Sequence, residues 1–263
     1  MIEWLNRAWR RLGNIARYGL GPEARAQKKA DKARRRDAGF FESDRWRHDE
    51  AGSRRRYASY GEYVEHQSAK LDEILPRLQE TENDDLVEFK RRFATCPQLR
   101  AARTVLCLGA RIGTEVRALH ALGYFAVGID LNPGADNRYV LPGDFHAIVF
   151  PDGSVDAVYS NALDHAFDLE KVLAEVSRLL RPGGLFILDV LDGYEEDGGF
   201  VPGEYEAMMW RDHQGFLTRA ADLGGFGLET VRDLGHTRRD HWTQAVLRKP
   251  QPAPARAAAS AEA

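Results

Sequence analysis

Gly109 and Gly113 bracket the turn in Val105-Leu-Cys-Leu-Gly-Ala-Arg-Ile-Gly-Thr-Glu115, and Gly128-Ile-Asp130 follows a short way on. Glycine at the end of a buried strand lets the backbone approach a ligand closely. A helix starting at the second glycine points its positive end at the same spot and favours a carboxylate. Asp130 lies 130 − 109 = 21 residues after Gly109, where an acid ending a second strand accepts hydrogen bonds from both hydroxyls of a ribose. Gly143-Asp144-Phe145 offers a further acid for an exocyclic adenine amine and a ring to cover the base. Taken singly, Asp130 reads equally well as a loop acid before Asn132-Pro133-Gly134, and Asp144 as an Asx turn. Taken together, in order and each at a strand end, they read as a nucleotide-type cofactor pocket. The glycines do not make the G-x-G-x-x-G of dinucleotide binding, which argues against an NAD oxidoreductase.

Such a pocket needs strands and helices in alternation. Strands are expected at 103–109, 124–130, 155–160, 184–190, 227–233 and 242–248, with a short one near 139–141. Helices are expected at 113–122, 168–181 and 213–223. Apolar runs such as Thr104-Val-Leu-Cys-Leu and Leu185-Phe-Ile-Leu-Asp-Val suit strands buried on both faces. The alternation predicts an α/β fold with a mostly parallel sheet and right-handed crossovers. The connection Gly235-His-Thr-Arg-Arg-Asp240 is too short for a helical crossover, so the last two strands should form a hairpin and add an antiparallel edge. Upstream, residues 57–93 have amphipathic helical periodicity with an interruption expected at Pro76.

Five pieces carry a resemblance to the S-adenosylmethionine-dependent class I methyltransferases. They are Cys107-Leu-Gly-Ala-Arg-Ile-Gly113, the acid of Gly128-Ile-Asp130, the pair Gly143-Asp144, the stretch Phe150-Pro-Asp-Gly-Ser-Val-Asp-Ala-Val-Tyr-Ser-Asn161, and Leu179-Leu-Arg-Pro-Gly-Gly-Leu-Phe186. The last two are the most specific and look like the small-molecule type 11 branch. The resemblance covers about residues 100–248. It implies a Rossmann-like seven-stranded sheet with one antiparallel edge strand and S-adenosyl-L-methionine as cofactor. By the same resemblance Gly109, Ala110 and Gly113 would line the methionine end, Asp130 and Leu131 the ribose, Asp144 and Phe145 the adenine, with Asn161 also at the cofactor. The chain departs from the family where Cys107 replaces the usual first acid and Arg111 the middle glycine. Either Glu115 substitutes for the missing acid, or Arg111 reaches the cofactor's carboxylate. A decayed pocket is the plainer alternative.

Methyl transfer from a sulfonium is an in-line displacement, so orientation alone can supply ~7–11 kcal/mol. Where the nucleophile is a hydroxyl, a base contributes a further ~10²–10⁴-fold. The candidates stand at the end of the fourth strand, in Ser160-Asn161-Ala-Leu-Asp164-His165. His165 titrates near neutrality and is the candidate base, against a plain loop histidine; Asn161 would instead orient the acceptor. Asp189 and Asp192 could join Asn161 and Asp164 around Mg²⁺, but the spacing is a weak signal and no metal is expected. Tyr60, Tyr63, His66, Gln67 and Lys70, on the helix before the first strand, suit a lid over the acceptor. The stretch Asp192 to Phe200, with Tyr205, Met208, Met209 and Trp210 after it, suits acceptor recognition in a mobile loop. The substrate-side candidates are therefore Tyr60, Tyr63, Gln67, Tyr205 and Trp210.

The 263 residues, 43% hydrophobic and 29% charged, can bury one sizeable α/β core. A formal charge of -3 gives no overall field for nucleic acid. Two cysteines make neither a disulfide framework nor a zinc site. No apolar run approaches the ~20 residues of a membrane span. Four regions are expected: a basic, helical and partly disordered extension over 1–56, a helical cap over 57–99, the methyltransferase domain over 100–248 and a disordered tail over 249–263. Residues 1–20 read as an amphipathic helix with Ile2, Leu5, Trp9, Leu12 and Ala16 on one face and arginines mostly on the other. Such a helix can lie on an anionic membrane or pack on protein. The expectation is a cytoplasmic methyltransferase, peripheral at the inner membrane surface if residues 1–20 anchor it, acting on a small or lipid- or sugar-linked acceptor. Two rivals are a catalytically weak binding or scaffold protein on the same fold and an aminopropyltransferase-like enzyme, whose acidic amine-binding motifs are not recognisable.

Overall fold

The computed structural model describes residues 44–196, 199, 202–237 and 240–251. Residues 1–47 and 48–263 are separate units, and the fold that follows is that of the second. The helix expected over 1–20 and most of the tail lie outside the described residues.

Seven strands form one sheet: β1 (Thr104–Leu108), β2 (Phe125–Asp130), β3 (Val140–Pro142), β4 (Val155–Ser160), β5 (Leu180–Leu191), β6 (Gly227–Thr237) and β7 (Asp240–Arg248). Their order is β3-β2-β1-β4-β5-β7-β6. The first five run parallel, and β7 pairs antiparallel with both β5 and β6. This is the expected topology. β1 and β4 are interior strands, and Leu106, Cys107, Val158 and Ile187 are all fully buried. A strand covered on both faces has no polar alternation to show, which is why these runs read as continuous apolar stretches. β5 starts four residues before the expected Gly184, so Arg181-Pro-Gly-Gly184 belongs to the strand. β6 and β7 reach closer together than expected, to Thr237 and Asp240.

Among the described residues the α-helices are α1 (Tyr60–Ala94), α2 (Thr114–Ala121), α3 (Leu169–Leu179) and α4 (His213–Gly224). The side chains of Asp168 and Asp212 accept from backbone N–H groups three residues on and fix the starts of α3 and α4. α1 corrects one expectation: it runs 35 residues without a break at Pro76. Pro76 and Asp72, whose carbonyl loses its partner, both lie on the exposed face, where water can replace the bond. Leu71 and Ile74 are buried on the opposite face and hold the helix down across that turn. The expected basic extension is corrected in part too. Gly52–Arg55 is a strand pairing antiparallel with Met208–Trp210.

α1 is tied to the sheet by a buried polar knot. The Arg92 guanidinium donates to Asp189 Oδ2 (3.0 Å), Glu88 Oε1 (2.8 Å) and Thr237 Oγ1 (2.9 Å) and lies over the Trp242 ring. Asp189 also accepts from Tyr159 OH (2.8 Å) and Gln244 Nε2 (2.7 Å). That carboxylate is fully engaged in joining α1, β4, β5 and β7, so the Asn161–Asp164–Asp189–Asp192 set considered for Mg²⁺ does not assemble around it.

Candidate active site

The turn after β1 is built from conformations that only a few residues tolerate. Gly109 has φ +69° and Gly113 φ +83°. A Cβ on Gly109 would stand 2.7 Å from Ala162 Cβ, and one on Gly113 2.9 Å from Tyr139 Cβ and Val140 Cγ2. Arg111 is also left-handed, at φ +46°, a strained conformation for a residue with a side chain. Its N–H donates to Asp130 Oδ2 and that of Asn132 to Asp130 Oδ1, both at 2.9 Å. Asp130 thus pins the turn to the end of β2. Each of its oxygens keeps a free lone pair.

A cavity opens over this turn. Its floor is Gly109, Arg111, Asp130, Leu131, Asn132, Phe145 and Ala162, its far side His165, and its roof Gln67, Lys70, Leu71 and Ile74 from α1. The structure therefore brings the glycine turn, Asp130, Leu131 and Phe145 together with Gln67 and His165. No ion pair or hydrogen bond engages the Arg111 guanidinium among the described residues, although it borders the cavity.

Other candidates stand elsewhere. Glu115 is buried inside α2 away from the cavity, and burial pushes its carboxyl up to about 8. The Cys107 thiol below it is likewise raised by burial. Ala110 is buried against Gly128, and Gly113 starts α2. Asp144 accepts from Tyr60 OH and from the N–H and Nδ1 of His146, both 2.8 Å. His146 Nε2 accepts from the N–H groups of Phe167 and Asp168, which leaves Nδ1 as the donor. Burial alone would raise the Asp144 carboxyl, but the bonds from His146 and Tyr60 outweigh it and hold it below its ordinary value. Asp144 is thus a clamp on the start of α1. Tyr63 is buried and donates to the His165 carbonyl (3.0 Å). Trp210 is buried, stacked on Phe216 with centroids 4.0 Å apart, its indole N–H on the Leu191 carbonyl, and so does not reach the cavity. Tyr205 is on the rim: its carbonyl accepts from Gln67 Nε2 (2.7 Å) and its hydroxyl donates to Glu73 (2.6 Å). Asn161 is half-buried at the end of β4 and does not line the cavity.

The most reactive arrangement is at the far wall. His165 Nδ1 lies 2.9 Å from the Tyr205 carbonyl, so the proton sits on Nδ1 and Nε2 is left as an acceptor. Lys70 Nζ stands 2.6 Å from that Nε2. Burial, then the nearby Lys70 and Arg111 charges, push His165 well below its ordinary range. Burial and Arg111 push Lys70 down too, partly offset by Asp164, Glu206 and Asp130. Asp164 is raised by burial and by Glu206. Asp164, His165 and Glu206 offer ligand atoms within 4.8 Å of one another, but Lys70 is the cation that faces His165 Nε2. Lys70, Asp164 and Glu206 come from segments far apart in sequence. The run of polar tips ending at Lys70 and the stretch Ser160 to His165 signal the first two; nothing in the sequence signals Glu206.

Residues 106–188 match the family model described as a methyltransferase domain, of type 11. Among curated relatives, the Oryza sativa subsp. japonica 24-methylenesterol C-methyltransferase 2 is 34% identical over 114 residues, 37% of this chain and 31% of that protein. The Yarrowia lipolytica sterol 24-C-methyltransferase is 53% identical over 111 residues, 38% of this chain and 29% of that protein. The chain thus spans less than a third of the length of each. Among solved structures, the Burkholderia thailandensis 1,6-didemethyltoxoflavin-N1-methyltransferase, with bound 1,6-didemethyltoxoflavin and S-adenosylhomocysteine, superposes with a TM-score of 0.60. That match covers 78% of this chain and 99% of the other at 15% identity, a likeness of fold.

Proposed function

We propose that the protein, whose residues 106–188 match the methyltransferase-domain model of type 11, transfers a methyl group from S-adenosylmethionine to a small or lipid- or sugar-linked acceptor. One observation carries this reading: a single cavity has the glycine turn, Asp130 and Phe145 as its floor and Gln67, Lys70, Leu71 and Ile74 of α1 as its roof. The residues fit the cofactor by their chemistry. Asp130 keeps one lone pair on each oxygen for a vicinal diol. Phe145 supplies an apolar face for a base. The unengaged Arg111 guanidinium suits the carboxylate that the family's usual acid would repel, and Glu115, buried elsewhere, does not compete for that part. The cofactor, when bound, supplies an electrophilic methyl group. The chain's own part is to hold the two reactants in line, exclude water beneath α1 and accept whatever proton the acceptor loses.

The sterol and small-molecule relatives support a small acceptor without specifying it. Gln67 and the Tyr205 rim are proposed to face it. Residues 1–20 are proposed as a peripheral anchor for a cytoplasmic enzyme. Calorimetric titration with S-adenosylhomocysteine tests the reading; absence of binding at high micromolar ligand would favour the binding or scaffold alternative.

A further inference from the structure

Lys70 is a lysine placed against a neutral histidine rather than against a carboxylate. It lines the proposed cofactor cavity, and its Nζ lies 2.6 Å from His165 Nε2. The Tyr205 carbonyl, which can only accept, takes the His165 Nδ1 proton at 2.9 Å. His165 Nε2 therefore takes one Lys70 hydrogen and offers no negative charge to hold an ammonium. The nearest oxygen of Asp164 is 3.6 Å from that same Nε2. We propose that Lys70 is the general base of methyl transfer and His165 the residue that positions it, and that the acceptor's nucleophile is a hydroxyl or amine with a proton to lose. This rests on the methyltransferase reading above and replaces His165 as the base.

The step balances without another reactant. Lys70 Nζ takes the proton from the acceptor's oxygen or nitrogen as that atom bonds to the methyl carbon. The S–C bonding pair stays on sulfur, so the sulfonium's positive charge ends on Lys70 as an ammonium. The neutral amine has one lone pair for this after donating to His165. His165 cannot do the same work in this arrangement. Its one free lone pair is taken by Lys70, and burial, together with the Arg111 charge, opposes charging it.

Five groups, with burial, set the Lys70 charge from the elements packed around it. Arg111 on the β1 turn and burial on the inner face of α1 favour the neutral amine; Asp130, Asp164 and Glu206 favour the ammonium. The Tyr205 ring, with its centroid 5.7 Å from Nζ, also favours the cation. Burial and Arg111 prevail, which leaves the amine available near neutral pH.

The test is competitive labelling of the intact protein with trace acetic anhydride across pH, read lysine by lysine by mass spectrometry, with Lys90, Lys171 and Lys249 as internal references. Lys70 should show a midpoint at least about 2 units below the ~10.4 of a free lysine. Arg111→Ala should move that midpoint upward. A Lys70 midpoint above about 9.5 overturns the assignment. Calorimetry with S-adenosylhomocysteine on the same preparation separates the two levels. Binding together with an ordinary lysine midpoint removes only the base. Failure to bind removes the methyltransferase reading, and the base with it.

Discussion

At the scale of single residues, the turn after β1 trades backbone comfort for a placed charge. Arg111 sits at φ +46°, which costs a side-chain-bearing residue about 1–2 kcal/mol, roughly offset by the unfolded-state entropy a glycine would add. Arg111→Gly should therefore leave thermal stability close to that of the parent. Its affinity for S-adenosylhomocysteine should fall roughly 10-fold, the value of one charge-assisted contact. Unchanged affinity would show that the guanidinium does not serve the carboxylate. Asp130→Asn keeps the side chain's shape but turns one acceptor into a donor, and should weaken the same ligand about 10–150-fold. Much of this was legible in sequence, because Gly109, Asp130 and Phe145 are marked by local spacing at strand ends. The clamp of Tyr60 on Asp144 and the Lys70–His165 pair were not, because their partners are 84 and 95 residues apart and meet only when α1 docks.

At the scale of elements, α1 is both roof and strut, and the Arg92 knot decides whether it stays in place. Arg92 is 3% exposed and pairs with the buried Asp189. Arg92→Ala would leave that carboxylate short of its cation, and should destabilise the protein by about 3–5 kcal/mol in chemical denaturation. A loss under about 1 kcal/mol would mean α1 is held by its apolar face alone. Glu88 completes the knot. Hydrogen bonds from Arg91 and Arg92, against the cost of burial, lower its carboxyl to about 2. A depressed acid contributes stability above its unfolded value, near 4.5, and that contribution disappears as pH falls through about 2. Glu88→Gln should flatten the loss of stability across this window, and an unchanged profile would assign it to other acids. Periodicity predicted α1 but broke it at Pro76. The helix survives there because burial of Leu71 and Ile74 outweighs one lost bond on the exposed face.

At the scale of the whole molecule, every residue of the cavity belongs to the unit that starts at His48. The mostly parallel sheet and its final hairpin were readable from alternating apolar runs and the short last connection; the order of the strands was not, because it is set by crossovers that no single segment records. The role of residues 1–20 rests on composition alone. Full-length protein should float with anionic vesicles and protein lacking residues 1–20 should not; equal flotation would contradict the anchor. The proposed function stands on the cofactor cavity between the β1 turn and α1. Its most direct measurement is calorimetric titration of the full-length chain with S-adenosylhomocysteine, alongside Asp130→Asn. The parent protein should show one saturable site and the variant a clear loss of affinity. No binding at high micromolar ligand, or equal binding by both proteins, would contradict it.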